Sequence, residues 1–178
     1  MTGNQIISET DLINGCMSGD RRMQKLLYDQ YSSKMYAVCV RYMGKNGDDA
    51  QDILQEGFIK VFRNLEKFRG DGSFEGWIRR IFVNTAIEQI RKKKTDLSLT
   101  EKEEIIELKT ATAIDNMSEK DLLQIVSELS PGYRTIFNMY VVEGFNHKEI
   151  SEILGISEGT SKSQLARARM ILQEKIKR

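Results

Sequence analysis

Only one proline, Pro131, interrupts 178 residues. With so few helix breakers, and with apolar residues recurring at intervals of three and four, the chain is constrained to be helical. From Asp20 to Tyr42 the stripe is Met23, Leu26, Leu27, Tyr31, Met35, Val38 and Cys39. Gly44-Lys45-Asn46-Gly47 breaks it, and a second helix is expected from about Asp48 to Phe68. Arg69-Gly70-Asp71-Gly72 reads as a turn and Ser73 as an N-cap, with a third helix reaching about Lys93. Residues 95–117 turn acidic around Glu101-Lys102-Glu103-Glu104 and lose strong periodicity. That is the pattern of a solvated linker, with room for a short helix around Ile105.

A second unit begins at Ser118, which with Asp121 forms a start resembling a capping box. Leu122, Ile125, Val126 and Leu129 repeat at helical spacing. Ser130-Pro131 opens the next helix, where the missing proline N–H does no harm, and Gly144 closes it. Asn146 with Glu149 starts a short helix ending at Leu154-Gly155, and Ser157 caps a last one. The expected fold is all-α: two small helical domains, residues 20–94 and 118–174, joined by the linker 95–117.

Composition narrows the function classes. Lysine and arginine number 27 against 26 acids, so any affinity for nucleic acid must come from local patches. Cys16 and Cys39 have no metal or redox spacing and His147 is the only histidine, so no metal or cofactor is expected. No nucleophile–base pair stands out, so no catalytic residue is assigned and the chain is not expected to be an enzyme. No apolar run approaches the roughly 20 residues of a spanning helix, so no membrane insertion is expected. MTGNQIISETDLINGC has no basic leader and apolar block, which points to a cytoplasmic protein.

Three surfaces carry the functional signal. Asn146–Leu154, the turn Gly155-Ile156-Ser157, and Glu158–Ile171 have the arithmetic of a helix-turn-helix. Its shared core would be Ile150, Ile153, Leu154, Ile156, Leu165 and Leu172, with Ser161 and Ala168 also facing inward. Thr160, Ser163 and Arg167 would face outward, flanked by Gln164 and Ala166. Lys162 adds charge near phosphate level, and that small, polar, basic face suits a major groove. His147 is expected on the exposed first turn of the preceding helix.

On the second helix Ala50, Ile53, Leu54, Gly57, Val61 and Leu65 form a core stripe. Asp49, Asp52, Gln55, Glu56 and Ile59 lie nearly opposite, a pattern that fits either solvation or docking of a basic partner. On the third, Ile78, Phe82, Ala86 and Ile90 form the core side, while Arg80, Asn84 and Arg91 share the other with Trp77 at their edge. Trp77 there serves either packing or a wedge into DNA, and Lys92 and Lys93 extend the basic end toward phosphates.

Asp52-Ile53-Leu54-Gln55-Glu56-Gly57, continuing through Phe58-Ile59-Lys60-Val61-Phe62, resembles the core-polymerase-binding helix of bacterial sigma factors. Phe68 to Phe74 with Trp77, Arg80, Ile81, Val83-Asn84 and Ala86 is similar to their promoter-melting segment. Leu129-Ser130-Pro131-Gly132-Tyr133-Arg134, Glu143-Gly144, Lys148-Glu149-Ile150, Leu154-Gly155 and Gly159-Thr160-Ser161-Lys162-Ser163 resemble their promoter-reading helix-turn-helix. The abbreviated arrangement, regions two and four alone, is similar to the extracytoplasmic-function subgroup of the sigma-70 family.

The resemblance implies a protein that binds core RNA polymerase and directs promoter recognition, melting and initiation. It implies that Asp52, Gln55 and Glu56, with Asp49 and Ile59, dock on the β′ clamp helices, and that the β flap is a second contact. Arg69, Asp71, Phe74, Trp77, Arg80, Asn84, Arg91, Lys92 and Lys93 would bind the melted −10 strand, Asn84 lining a pocket for a flipped base. Thr160, Lys162, Ser163, Gln164 and Arg167 would read the −35 duplex. Ser161 stands where valine is frequent in that family, and Gln164 where arginine is frequent. An anti-sigma factor is a further implied partner. A stand-alone helix-turn-helix regulator with an N-terminal sensing or dimerisation domain is the alternative, and a membrane-surface amphipathic protein a weaker one.

Overall fold

A computed structural model describes residues 7–44, 47–96 and 124–176, without the side chains of 93–96. Among these residues there are helices and turns and no strand. The elements are α1 (Glu9–Met17), α2 (Arg21–Met43), α3 (Gly47–Asn64), a 3₁₀ turn (Leu65–Lys67) and α4 (Phe74–Asp96). After a helical stretch at residues 124–127 come α5 (Pro131–Phe137), a π-helical turn (Asn138–Val142), α6 (His147–Leu154) and α7 (Glu158–Ile176). The start expected at Ser118 and Asp121, Leu122, the linker around Ile105, and Lys177 and Arg178 lie outside the described residues.

The contacts divide the chain into two compact units, one joining the residues up to 39 with 50–85, the other joining 40–49 with those from 86 on. In the first unit the expected α3 stripe is buried in full: Ala50, Ile53, Leu54, Gly57, Val61 and Leu65. Asp48 and Asp49 in the first turn of α3 and Arg63 in the last oppose the helix dipole. Ser73 caps α4 by accepting from Gly76 N–H at 3.0 Å. Phe74, Ile78 and Phe82 at the start of α4 are completely buried, each worth about 1.5–3 kcal/mol of apolar burial. Phe82 meets Phe58 edge-on at 5.2 Å, and an ideal Cβ on Gly57 would stand 2.3 Å from Phe82 Cε1. The missing side chain at Gly57 is thus the space that the Phe82 ring occupies. On α2, Leu27, Tyr31, Met35, Val38 and Cys39 are buried as expected, but Leu26 is exposed.

Helix α1 was not anticipated from periodicity. Its signals were short-range: Ser8 accepts from Asp11 N–H, and Leu12 and Cys16, one turn apart, are buried. The helix packs against the 3₁₀ turn.

In the second unit, Asn146 and Glu149 form the full capping box and Gly155 takes the left-handed conformation, at φ +64°. Ser157 caps α7 through Thr160 N–H at 2.9 Å. The helix opened by Pro131 does not run unbroken to Gly144. After Phe137 it widens into the π-helical turn, and Glu143 N–H donates to Asn138 O at 3.0 Å. This unit is tied by a buried guanidinium. Arg134 donates to the carbonyls of Ser127, Leu129, Tyr42 and Met43, all at 2.9–3.1 Å. Tyr42 and Met43 stand at the end of α2, and their helix-terminal carbonyls accept from Arg134 within this unit.

Candidate functional site

The α3 stripe fixes what the rest of that helix presents. With Ile53, Leu54, Gly57 and Val61 turned inward, Asp52, Gln55 and Glu56 are exposed and Asp49 is half-buried. Ile59 lies among them at 44% exposure, an aliphatic side chain in water between acids. Glu56 and Lys60 approach to 3.8 Å, one turn apart, with the Glu56 side chain 53% exposed. An exposed pair of this kind contributes little to stability, so Glu56 is chemically available to a cationic partner. The structure brings all five expected docking residues onto one helix.

The second surface grows from the loop before α4. Gly70 and Gly72 have φ of +78° and +114°, so the tight turn between them requires glycine, and it leaves Arg69 and Asp71 exposed. Phe68, Phe74 and Trp77 form one aromatic cluster: Trp77 lies 5.8 Å from Phe74 at an interplanar angle of 12° and 5.6 Å from Phe68. Phe74, expected as a −10 contact, is instead wholly buried; it anchors the loop and offers no surface to a base. Trp77 keeps a half-buried edge while packing on that anchor. Beyond it Arg80, Asn84, Arg91 and Lys92 are exposed along α4, at spacings that keep Trp77, Arg80, Asn84 and Arg91 on one side of the helix. The side chain of Lys93 is outside the described residues.

The third surface is α7. Lys162 is exposed, one turn from Glu158 at 3.7 Å, while Thr160, Ser163, Gln164 and Arg167 are half-buried. Ser161, Leu165, Ala168 and Leu172 face the core, as does Ala166, which was expected at the flank of the outer face. Ile150 is fully buried, while Ile153, Leu154 and Ile156 are half-buried. Gln164 folds toward α5, its Oε1 standing 3.2 Å from an ideal Cβ on Gly132. His147 also differs from expectation. It is half-buried, its ring stacks on Tyr140 at 4.5 Å, and its Nδ1 lies 2.9 Å from the Oγ of completely buried Ser161. Sequence reasoning did not single out Tyr140. Its spacing from His147 crosses a loop, where helical periodicity carries no information.

Among the described residues no helix is long and apolar enough to cross a membrane.

Residues 27–95 match the family described as Sigma-70 region 2, and residues 119–172 match Sigma-70, region 4. The chain is 31% identical to an ECF RNA polymerase sigma-E factor of Haemophilus influenzae, over 96% of each protein. It is 30% identical to the ECF RNA polymerase sigma factor SigW of Bacillus subtilis, over 89% of this chain and 91% of that one. A solved chain, the sigma factor RpoE in complex with the anti-sigma factor NepR from Bartonella quintana, aligns with a TM-score of 0.49 and 23% identity. That alignment spans 86% of this chain and 96% of the other. Similarity running through both regions and nearly the whole length does not favour a stand-alone regulator with an unrelated N-terminal domain. The chain belongs to the extracytoplasmic-function subgroup of the sigma-70 family of RNA polymerase sigma factors.

Proposed function

We propose that this sigma factor divides its work among three helices. The acidic face of α3, with Asp52, Gln55 and Glu56 around Ile59, docks on basic clamp helices of the polymerase β′ subunit, with Asp49 at its edge. The α4 face centred on Asn84, with Arg69, Asp71, Trp77, Arg80, Arg91, Lys92 and Lys93 around it, captures the separated −10 strand. The outer face of α7, with Thr160, Lys162, Ser163, Gln164 and Arg167, reads the −35 duplex while the β flap holds that domain.

The single observation behind this reading is the disposition of α3. A helix whose one side is buried in full offers on the other three exposed acid or amide groups and an exposed isoleucine. Solvation accounts for the acids, and the isoleucine set among them gives that face an apolar point for a partner helix to cover. On α4, Asn84 can donate and accept at once, which suits a base edge better than the phosphate-seeking cations beside it. Extruding a base costs a few kcal/mol and stacking returns about 1–3 kcal/mol per base, so docking on core polymerase tips the balance. The chain itself makes no bond; RNA synthesis belongs to the core enzyme. It works in the cytoplasm, and an anti-sigma factor covering the docking or promoter faces would hold it inactive.

The test is transcription in vitro with purified bacterial core polymerase and supercoiled genomic fragments from the source organism. The chain should co-elute with core and give defined start sites. A chain that binds duplex DNA but neither co-elutes nor starts transcripts would end this reading.

A further inference from the structure

A serine wholly inside a small core is an unusual choice. Its hydroxyl costs free energy unless it finds a partner, and here the partner is not on its own helix. Ser161 is completely buried in the first turn of α7, on the side of that helix that also buries Leu165 and Ala168, and its Oγ lies 2.9 Å from Nδ1 of His147 on α6. The His147 ring in turn lies nearly parallel to Tyr140 of the π-helical turn, at 4.5 Å and 25°. The guanidinium of Arg169, two turns beyond Ser161 on α7, is 5.8 Å from the centre of the same Tyr140 ring. One imidazole therefore links the π-helical turn, α6 and α7, and α7 is held at two points along its length.

We propose that His147 is a positioning residue for promoter reading: by hydrogen-bonding Ser161 while stacked on Tyr140, it sets the angle at which α7 enters the −35 major groove. The inference rests on α7 being the −35-reading helix. Partial burial, with Lys162 and Arg169 nearby and opposed by Glu158, holds the His147 pKa below its ordinary 6.5. The ring is then neutral at neutral pH, and Nδ1 can accept from the Ser161 hydroxyl.

The experiment uses holoenzyme reconstituted on core polymerase. The probe is a duplex enriched by wild-type holoenzyme from a pool randomised over the −35 segment, and the competitor is the unenriched pool. The readout is the ratio of affinities for the two, at a temperature where melting curves show every variant folded. His147→Ala and Ser161→Ala should each lower the ratio about fivefold, the order of one net hydrogen bond. The double variant should lose about the same, because both remove one interaction. His147→Asn, which places a polar atom where Nδ1 stood, should recover most of the ratio; His147→Gln, which places it where Nε2 stood, should not. Arg167→Ala serves as the control for the underlying reading and should itself weaken binding to the enriched duplex. If Arg167→Ala has no effect, α7 is not the reading helix. If it does, but the His147 and Ser161 variants keep the wild-type ratio, or Asn and Gln behave alike, the positioning role is refuted.

Discussion

Replacing glycine by alanine inside a helix ordinarily stabilises it by about 1 kcal/mol, because alanine loses less backbone freedom on folding. Gly57, in the middle of α3, should reverse that sign. Its added Cβ would stand 2.3 Å from Cε1 and 2.6 Å from Cδ1 and Cζ of Phe82. The ring has no room to turn aside, being fully buried and edge-on to Phe58 at 5.2 Å. Overpacking of this kind costs about 1–3 kcal/mol, and the confined ring places it at the upper end, about 3 kcal/mol. Subtracting the propensity gain leaves Gly57→Ala destabilising by about 2 kcal/mol, a fall in Tm on the order of 10 °C for a unit of this size. The only tryptophan, Trp77, stacks on Phe74 in the same unit, so its fluorescence follows that unit through thermal and urea unfolding. The Phe82→Leu background provides the internal control. With the ring gone, Gly57→Ala should be neutral or stabilising by up to about 1 kcal/mol. A raised midpoint in the wild-type background, or the same loss in both backgrounds, would refute the reasoning.

Glu56→Lys places a like charge before a basic partner at an exposed position. Co-elution with core polymerase should be lost while the melting curve stays within about 0.5 kcal/mol of wild type; unchanged core affinity would remove the α3 docking surface. Asn84→Ala, also exposed, should slow promoter opening about tenfold, a loss within the 1–3 kcal/mol of a base-edge contact, with −35 duplex binding unchanged. Permanganate footprinting of the −10 segment reads this directly. Burial pushes the Cys39 thiol up to about 12 from an ordinary 9.0, so iodoacetamide at pH 8 should label it only after unfolding. Because the folded-state value is the higher one, the associated stability is complete below pH 9 and is lost as pH rises toward 12. Cys39→Ala should flatten the fall in unfolding free energy between pH 9 and 10.5, and an unaltered slope would show that other groups set it.

Much of the fold was legible because its signals are local. Spacings of three and four residues placed α2, α3, α4 and α7, and the caps at Ser73, Asn146, Gly155 and Ser157 all formed where short-range hydrogen bonding predicts. The exposed face of α3 follows by geometry once its buried stripe is known, which is why every docking candidate is found on one helix. Helix α1 escaped because two buried residues make too short a pattern to register. Phe74 was misjudged for a different reason. An aromatic beside a basic loop looks the same in sequence whether it faces a base or the core, and only packing against Tyr31, Phe68 and Trp77 separates the two.

The sequence by itself determined an all-helical chain of two promoter-reading regions, because helical periodicity, capping and ordered motifs are written within a few residues of one another. Tertiary structure alone decided which groups of distant parentage meet. It closed the Phe82 ring over the bare backbone at Gly57 and gathered four carbonyls around Arg134. It also set His147 between Tyr140 and Ser161, where a residue read as exposed became the link between two helices. Such contacts arise when buried polar groups must find partners and close-packed surfaces must fill space, and neither condition exists until the helices have met.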